Sequence, residues 1–329
     1  MAINKLKNKR ILYLGIEFYN YHKEIIKTLE YYKALVKFYP VVKYGNVYTF
    51  LNLISKNLLQ KYLKNYGDKI IHRIHDDSFD YVFVIQGFQQ DEWFYKELKK
   101  KLPKALFIMY HWDSLKKHDY LNLIKYFDRI FSFDYQDAAQ HTVINYLPLF
   151  YINSYNVTRF KNEYFKYDLL FVGKLKNHFK RYEYVENLRK YATENKLNVY
   201  IHLYTDYKFF LKMLLKGKLL RNVKFNTLSS EETKNLFDMS NAIVDFHDPD
   251  QTGITMRSIE ALGSCKKLIT INKTILFEPI YSPNNVFIIN PRNESFLKEF
   301  LNIPYQEMLV REKYSINTWI LTIFCNNDK

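Results

Sequence analysis

Between Asn241 and Thr270 the chain sets Gly253, Thr255, Arg257 and Glu260 within two helical turns of one another. Those residue types in that order can hold a diphosphate. A glycine lets an anion approach the backbone closely. A helix that opens there offers unpaired N–H groups and a partial positive charge. Thr255 adds a hydroxyl donor, and the Arg257 guanidinium can fork onto phosphate oxygens. Glu260, three residues further, shares a helix face with Arg257 and can accept from ribose hydroxyls. A departing diphosphate needs its charge neutralised, and this set can do that. Gln251 and Thr252 lead into it, with Thr252 expected as the N-cap and Gly253 as the residue that opens the helix. Each residue also has an ordinary reading. Arg257 and Glu260 can be a helix ion pair, worth ~0.2–0.5 kcal/mol, and Gly253 a turn residue.

Other candidates lie after apolar runs. Lys174, in Gly173-Lys-Leu-Lys176 and followed by His178, Lys180 and Arg181, can reach a donor phosphate or belong to a solvated basic loop. In Tyr110-His-Trp-Asp-Ser114, His111 and Asp113 can act as a base on an acceptor hydroxyl, help typically worth ~10²–10⁴-fold. The alternative there is a packed turn in which Asp113 caps the next helix. Glu17 and His22 are further candidate bases, while Asp134 reads as a helix cap. Asp248-Pro-Asp250 resembles a metal motif by letters alone and reads as a loop cap, so no metal site is expected. No cofactor is expected beyond the donor substrate itself.

These residues need elements that present them. Arg10–Ile16, Ala34–Tyr39, Asp80–Gln86, Ala105–Tyr110, Asp128–Phe133 and Thr142–Tyr146 are short apolar runs of the kind buried on both faces of a parallel sheet. Helical spacings fall between them, at Tyr21–Tyr32, Thr49–Tyr66 and Asp91–Lys101. An irregular stretch from Pro148 to about Asn162 reads as a linker. The pattern restarts with strands at Tyr167–Gly173, Asn198–Tyr204, Val223–Phe225, Ala242–Phe246, Lys267–Ile271 and Val286–Ile289. Helices are expected at Glu183–Asn195, Tyr207–Leu220, Ser230–Met239, Gly253–Leu262 and from Glu294. The expected fold class is α/β, with two Rossmann-like domains whose parallel sheets are covered by helices and with a cleft between the domains. Their expected bounds are 1–152, 163–305 and a tail, 306–329, whose helix packs back on the first domain.

Composition narrows the class. The 329 residues are 48% hydrophobic, enough for two cores. Two cysteines, Cys265 and Cys325, make no disulfide framework and suit a reducing cytoplasm. No apolar stretch is long enough for a span. The net charge of +15 attracts polyanions. Without zinc-finger spacing or an RNP-like motif, however, nucleic acid is not the expected partner. No Gly-x-Gly-x-x-Gly follows either opening strand, which disfavours a dehydrogenase. Lys208, Lys212 and Lys216 recur every four residues and can either dock on anionic lipid or form the solvated edge of an amphipathic helix.

Ser229-Ser-Glu-Glu232, Asp245, Gln251-Thr-Gly-Ile-Thr-Met-Arg257, Glu260 and Lys266-Lys-Leu-Ile-Thr-Ile-Asn272 give the second half a family resemblance. Tyr110-His-Trp-Asp-Ser114 and Phe127-Asp-Arg-Ile-Phe-Ser-Phe-Asp134 extend it more loosely into the first half. The chain resembles bacterial GT-B glycosyltransferase-like proteins of lipopolysaccharide and capsule biosynthesis, and is distantly similar to the CgeB-type spore-coat glycosyltransferases. The resemblance implies an acceptor-binding first domain and a nucleotide-sugar-binding second domain. It makes Gly253, Thr255, Arg257 and Glu260 donor-site residues. It also implies a glycan or lipid-linked acceptor, and a cytoplasmic protein in peripheral contact with the inner membrane. The Glu-x7-Glu pattern of many retaining GT-B families is broken, because position 252 is Thr.

Overall fold

Continuous apolar runs become strands because a parallel sheet buries both of their faces. The computed structural model describes residues 5–74, 79–157, 164–175, 179–247, 251–290 and 293–325. It divides into two units. The first spans Met1–Leu149, Asp250–Gly253 and Ile316–Lys329, and the second Phe150–Pro249 and Ile254–Ser315. Against the expected bounds, 250–253 therefore group with the first unit, and 150–152 and 306–315 with the second.

The first unit runs β1 (Arg10–Gly15), α1 (Tyr21–Tyr31), β2 (Leu35–Pro40), α2 (Asn46–Ile54), α3 (Lys56–Arg73), β3 (Tyr81–Ile85), α4 (Glu92–Lys101), β4 (Leu106–His111), β5 (Arg129–Ser132), α5 (Tyr135–Gln140) and β6 (Asn145–Tyr146). The strands form one parallel sheet in the order β2-β1-β3-β4-β5-β6. β1 carries one half-buried residue and then five buried ones. The single helix expected at Thr49–Tyr66 is two. Ser55 takes an extended conformation, and its hydroxyl accepts from Leu58 N to start α3. The strand expected at Thr142–Tyr146 shrinks to two residues.

The second unit runs β7 (Tyr167–Lys174), α6 (Phe179–Glu194), β8 (Val199–Tyr204), α7 (Tyr207–Leu215), α8 (Ser230–Asp238), β9 (Ser240–Asp245), α9 (Met256–Gly263), β10 (Lys267–Thr270), β11 (Val286–Ile288) and α10 (Leu297–Asn302). Its parallel sheet is ordered β11-β10-β9-β7-β8. α8 opens on a full capping box, Ser229 with Glu232. Val223–Phe225 contributes an isolated bridge, Lys224 to Tyr204, in place of a strand. Lys267 is buried in β10, and its ammonium donates to the carbonyls of Phe300, Leu301 and Ile303, capping the end of α10.

The chain then supplies α11 (Ile316–Cys325) to the first unit. Trp319 is buried there, its ring 4.8 Å from Tyr110 and 6.0 Å from Phe83. Each unit has its own apolar core, one around Leu12, Val82, Phe107 and Ile130, the other around Leu169, Val185, Val244 and Ile269. Among the described residues no helix is long and apolar enough to cross a membrane.

Candidate functional site

The order of the second sheet fixes where a ligand would sit. From β7 the chain moves outward to β8, and from β9 it moves the other way to β10, so strand order reverses between β7 and β9. Open α/β sheets bind ligands beyond the carboxyl ends at such a reversal. Arg181 marks the spot. Its guanidinium donates to the carbonyl of Lys174 at 2.7 Å and to that of Phe246 at 2.9 Å, tying the ends of β7 and β9 together. The Lys174 side chain itself stands 3.7 Å from Asp206. His178 and Asp248-Pro-Asp250 lie outside the described residues.

α9 begins beside the end of β9, and its cap is Thr255 rather than Thr252. The Thr255 hydroxyl accepts from Ser258 N at 3.2 Å, so the helix starts at Met256, three residues later than expected. Asp245, the last residue of β9, accepts from the hydroxyls of Thr255 at 2.5 Å and Ser258 at 2.7 Å. This carboxylate fixes the first turn of α9 against the strand end. Arg257, the second helical residue, lies over the Phe237 ring with its guanidinium 5.3 Å from the centroid. Its nearest approach to Glu260 is 4.0 Å, and Glu260 is only 2% exposed. Both act on buried Tyr155, whose hydroxyl is pushed up by burial first and then by the Glu260 charge. Thr255, Arg257 and Glu260 are thus brought together in one unit.

Gln251, Thr252 and Gly253 belong to the other. Asp134 caps α5 by accepting from Gln136 N and Asp137 N. It also accepts from Thr252 N at 2.8 Å, Thr252 Oγ1 at 2.6 Å and Gly253 N at 3.3 Å. A Cβ on Gly253 would stand 2.7 Å from the Phe133 carbonyl oxygen. The close backbone approach that requires a glycine here is therefore made by Phe133. The N-cap role expected for Thr252 is replaced by its bonds to Asp134.

In the first unit the strand order reverses between β1 and β3. Glu17 follows β1 and is exposed, while His22 is buried on α1 with Nδ1 unpartnered. Gln86 follows β3 in the left-handed region, φ 54°, and donates to Asp113 Oδ2 at 2.6 Å. Asp113 Oδ1 accepts from Lys117 at 2.5 Å and from Gln251 at 2.8 Å. His111 ends β4 fully buried. Its Nδ1 lies 2.8 Å from the Asp113 carbonyl and so carries the proton, while its ring stacks on Tyr120 with centroids 4.0 Å apart. Burial lowers its pKa to about 4, and Nε2 is left buried without a partner. Asp113 is thus the more accessible of the two candidate bases.

No family model matches the chain, and no curated protein matches it by sequence. Solved structures do match. An apo structure of OtsA aligns over 98% of this chain and 100% of its own, at 10% identity and TM-score 0.62. The N-terminal domain of Candida albicans trehalose-6-phosphate phosphatase aligns over 97% and 96%, at 10% identity and TM-score 0.60. The catalytic domain of Starch Synthase IV from Arabidopsis thaliana, bound to ADP and acarbose, aligns over 98% and 96%, at 7% identity and TM-score 0.55. The fold is of the GT-B type.

In this GT-B chain three polar positions escape a reading of residue types alone. Asp245 enters the sequence reading only among the residues that carry the resemblance, with no role, and Gln86 only as the last residue of the run Asp80–Gln86. Asp137 carried no signal. It is buried, accepts from Leu115 N at 2.9 Å, and has its carboxyl raised to about 6, chiefly by burial. A shallow surface hollow lies beside Phe246, Tyr184 and Tyr191 and includes neither Arg257 nor Glu260.

Proposed function

We propose that this protein is a glycosyltransferase that moves a sugar from a nucleotide diphosphate to a glycan or lipid-linked hydroxyl, in the assembly of a bacterial surface polysaccharide. The observation that carries the reading is the start of α9. An anchored helix N-terminus stands at the carboxyl end of β9, beside the reversal of strand order, with Arg257 in its first turn and buried Glu260 one turn on. A diphosphate there meets the helix dipole and one guanidinium. The acceptor oxygen attacks the anomeric carbon, the bond from that carbon to the phosphate oxygen breaks, and the nucleotide diphosphate leaves with the electron pair. The acceptor proton passes to a base, for which Asp113 is the first candidate and Glu17 the second. The likeness of fold to an ADP-bound starch synthase domain supports the class of donor. The resemblance noted in the sequence is what points to surface polysaccharide.

One observation favours a second reading, a nucleotide-sugar-binding relative without catalysis: His111, the other base candidate, is wholly enclosed. Thermal melting against a panel of nucleoside diphosphates and nucleotide sugars tests the donor site. One nucleotide is expected to raise the melting temperature, by the equivalent of ~2.7 kcal/mol at a hundredfold excess over Kd, and Arg257→Ala to abolish the shift. No shift at millimolar ligand overturns the donor-site reading. A shift without sugar transfer supports the second.

A further inference from the structure

Along α9 the fold leaves only the start open. Thr255, Met256 and Arg257 are half-buried, whereas every residue from Ser258 to Gly263 is buried. The Arg257 side chain is 26% exposed and that of Glu260 3%. A carboxylate that takes a ribose hydroxyl must present an oxygen to the ligand at about 2.5–3.0 Å. Glu260 faces the protein instead. Its Oε2 lies 4.0 Å from Arg257 Nη1, and its charge is felt by the buried Tyr155 hydroxyl. Phe237 is fully buried and meets Tyr155 edge-on, with centroids 5.1 Å apart, so it gives the Arg257 guanidinium a fixed floor. A carboxylate enclosed in this way needs a cation beside it. A guanidinium set between a ring and a carboxylate keeps its remaining N–H groups for a ligand. β9 and α9 carry one other carboxylate, Asp245, which is taken up by the hydroxyls of Thr255 and Ser258.

We propose that Glu260 is a positioning residue that holds Arg257 for the diphosphate, and that the donor site does not read the ribose 2′-hydroxyl. The diphosphate then sets the donor class, and a 2′-deoxyribonucleoside diphosphate sugar serves as well as its ribo counterpart. This departs from the ribose-accepting role that residue type and spacing suggest for Glu260. Paired with a guanidinium, Glu260 adds little repulsion toward phosphate, and the oriented fork loses less freedom when it binds. The inference rests on the donor-site reading of α9 and refines it.

The test is titration calorimetry of the full chain with UDP, ADP, GDP and CDP, each beside its 2′-deoxy counterpart. Whichever nucleotide binds, its two forms are expected to agree within about threefold, because a carboxylate that reads the hydroxyl costs at least about tenfold when the hydroxyl is removed. This comparison needs no variant. Glu260→Gln keeps the size of the side chain and is expected to weaken both forms by the same factor, about tenfold, as coupled neighbours do. A larger preference of the wild type for the ribo form overturns the proposal and leaves the donor site standing. If Glu260→Gln then erases that preference, Glu260 is the ribose ligand. A lower melting temperature of the variant with unchanged Kd overturns the positioning role. Binding of no nucleotide at all brings down the donor-site reading, and this inference with it.

Discussion

Gly253 has a backbone neighbour where any other residue would need its Cβ, the Phe133 carbonyl at 2.7 Å. A carbonyl in a packed chain gives way less readily than the tip of a side chain. Gly253→Ala is therefore expected to cost ~1–3 kcal/mol, read as a lower urea midpoint at unchanged slope. Asp245 makes a different prediction. Its carboxylate ties Thr255 and Ser258 to the strand end but also sets a negative charge where a diphosphate is proposed to bind. Asp245→Asn should lower stability without ligand by ~1–2 kcal/mol and enlarge the melting shift given by the nucleotide. A smaller shift would argue against that placement of the phosphates. Asp137 and His111 bear on pH. Burial raises the Asp137 carboxyl from 3.8 to about 6, so its contribution is full below about pH 4 and is lost as pH rises through 6. Burial lowers the His111 imidazole from 6.5 to about 4, so its contribution is full above 6.5 and is lost as pH falls toward 4. The two slopes oppose each other in the wild type. Asp137→Asn removes one of them, and the variant should gain on the wild type between pH 4 and pH 7 by up to ~3 kcal/mol, at ~1.4 kcal/mol per pK unit. Urea midpoints at the two pH values give the comparison.

Among elements, the strands were the most legible. β1, β3, β4 and β9 are buried on both faces, and burial of that kind writes itself as an unbroken apolar run. Helix ends were less so. The break at Ser55 is invisible in apolar spacing that continues across it. Thr252 and Thr255 are equally good caps by type, and the choice between them is made by Asp245, ten residues before Thr255, and by Asp134, 118 residues before Thr252. The glycine at 253 was expected to admit a phosphate, whereas the group that lies against it is the Phe133 carbonyl, beside a contact that spans 118 residues, the bond from Thr252 to Asp134. Propensity carries no such contact. The same holds for Lys267, a charge inside a strand that makes sense only once α10 ends beside it. Lys267→Met keeps the length and removes three donated hydrogen bonds to main-chain carbonyls, two of them buried. An expected loss of ~2–4 kcal/mol, with hydrogen exchange rising first in α10, would confirm that this ammonium acts as a cap.

For the whole molecule, the second unit is nearly one continuous stretch while the first is gathered from three. Trp319, Ile320, Ile323 and Phe324 are buried in the first unit although they follow the second in the chain. Trp319→Ala should cost ~3–5 kcal/mol, the usual range for a large aromatic removed from a core. The transition of the first unit should move in differential scanning calorimetry. A chain shortened before Ile316 should lose that transition, because apolar residues of β3 and β4, among them Phe83 and Tyr110, would then be uncovered.

The placement of α11 also sets a timetable. Arg129 hydrogen-bonds to Ile323 and Lys5 to Cys325, across sequence separations of 194 and 320 residues. Contacts so distant close late, because the loop entropy is spent before they form. During synthesis the first sheet is made early and must wait, with the surface that Trp319 will cover still open to water, while the entire second unit emerges and folds. Until residue 325 leaves the ribosome, the half of the protein translated first is the half that remains unfinished. It is there that a chaperone would find the nascent chain.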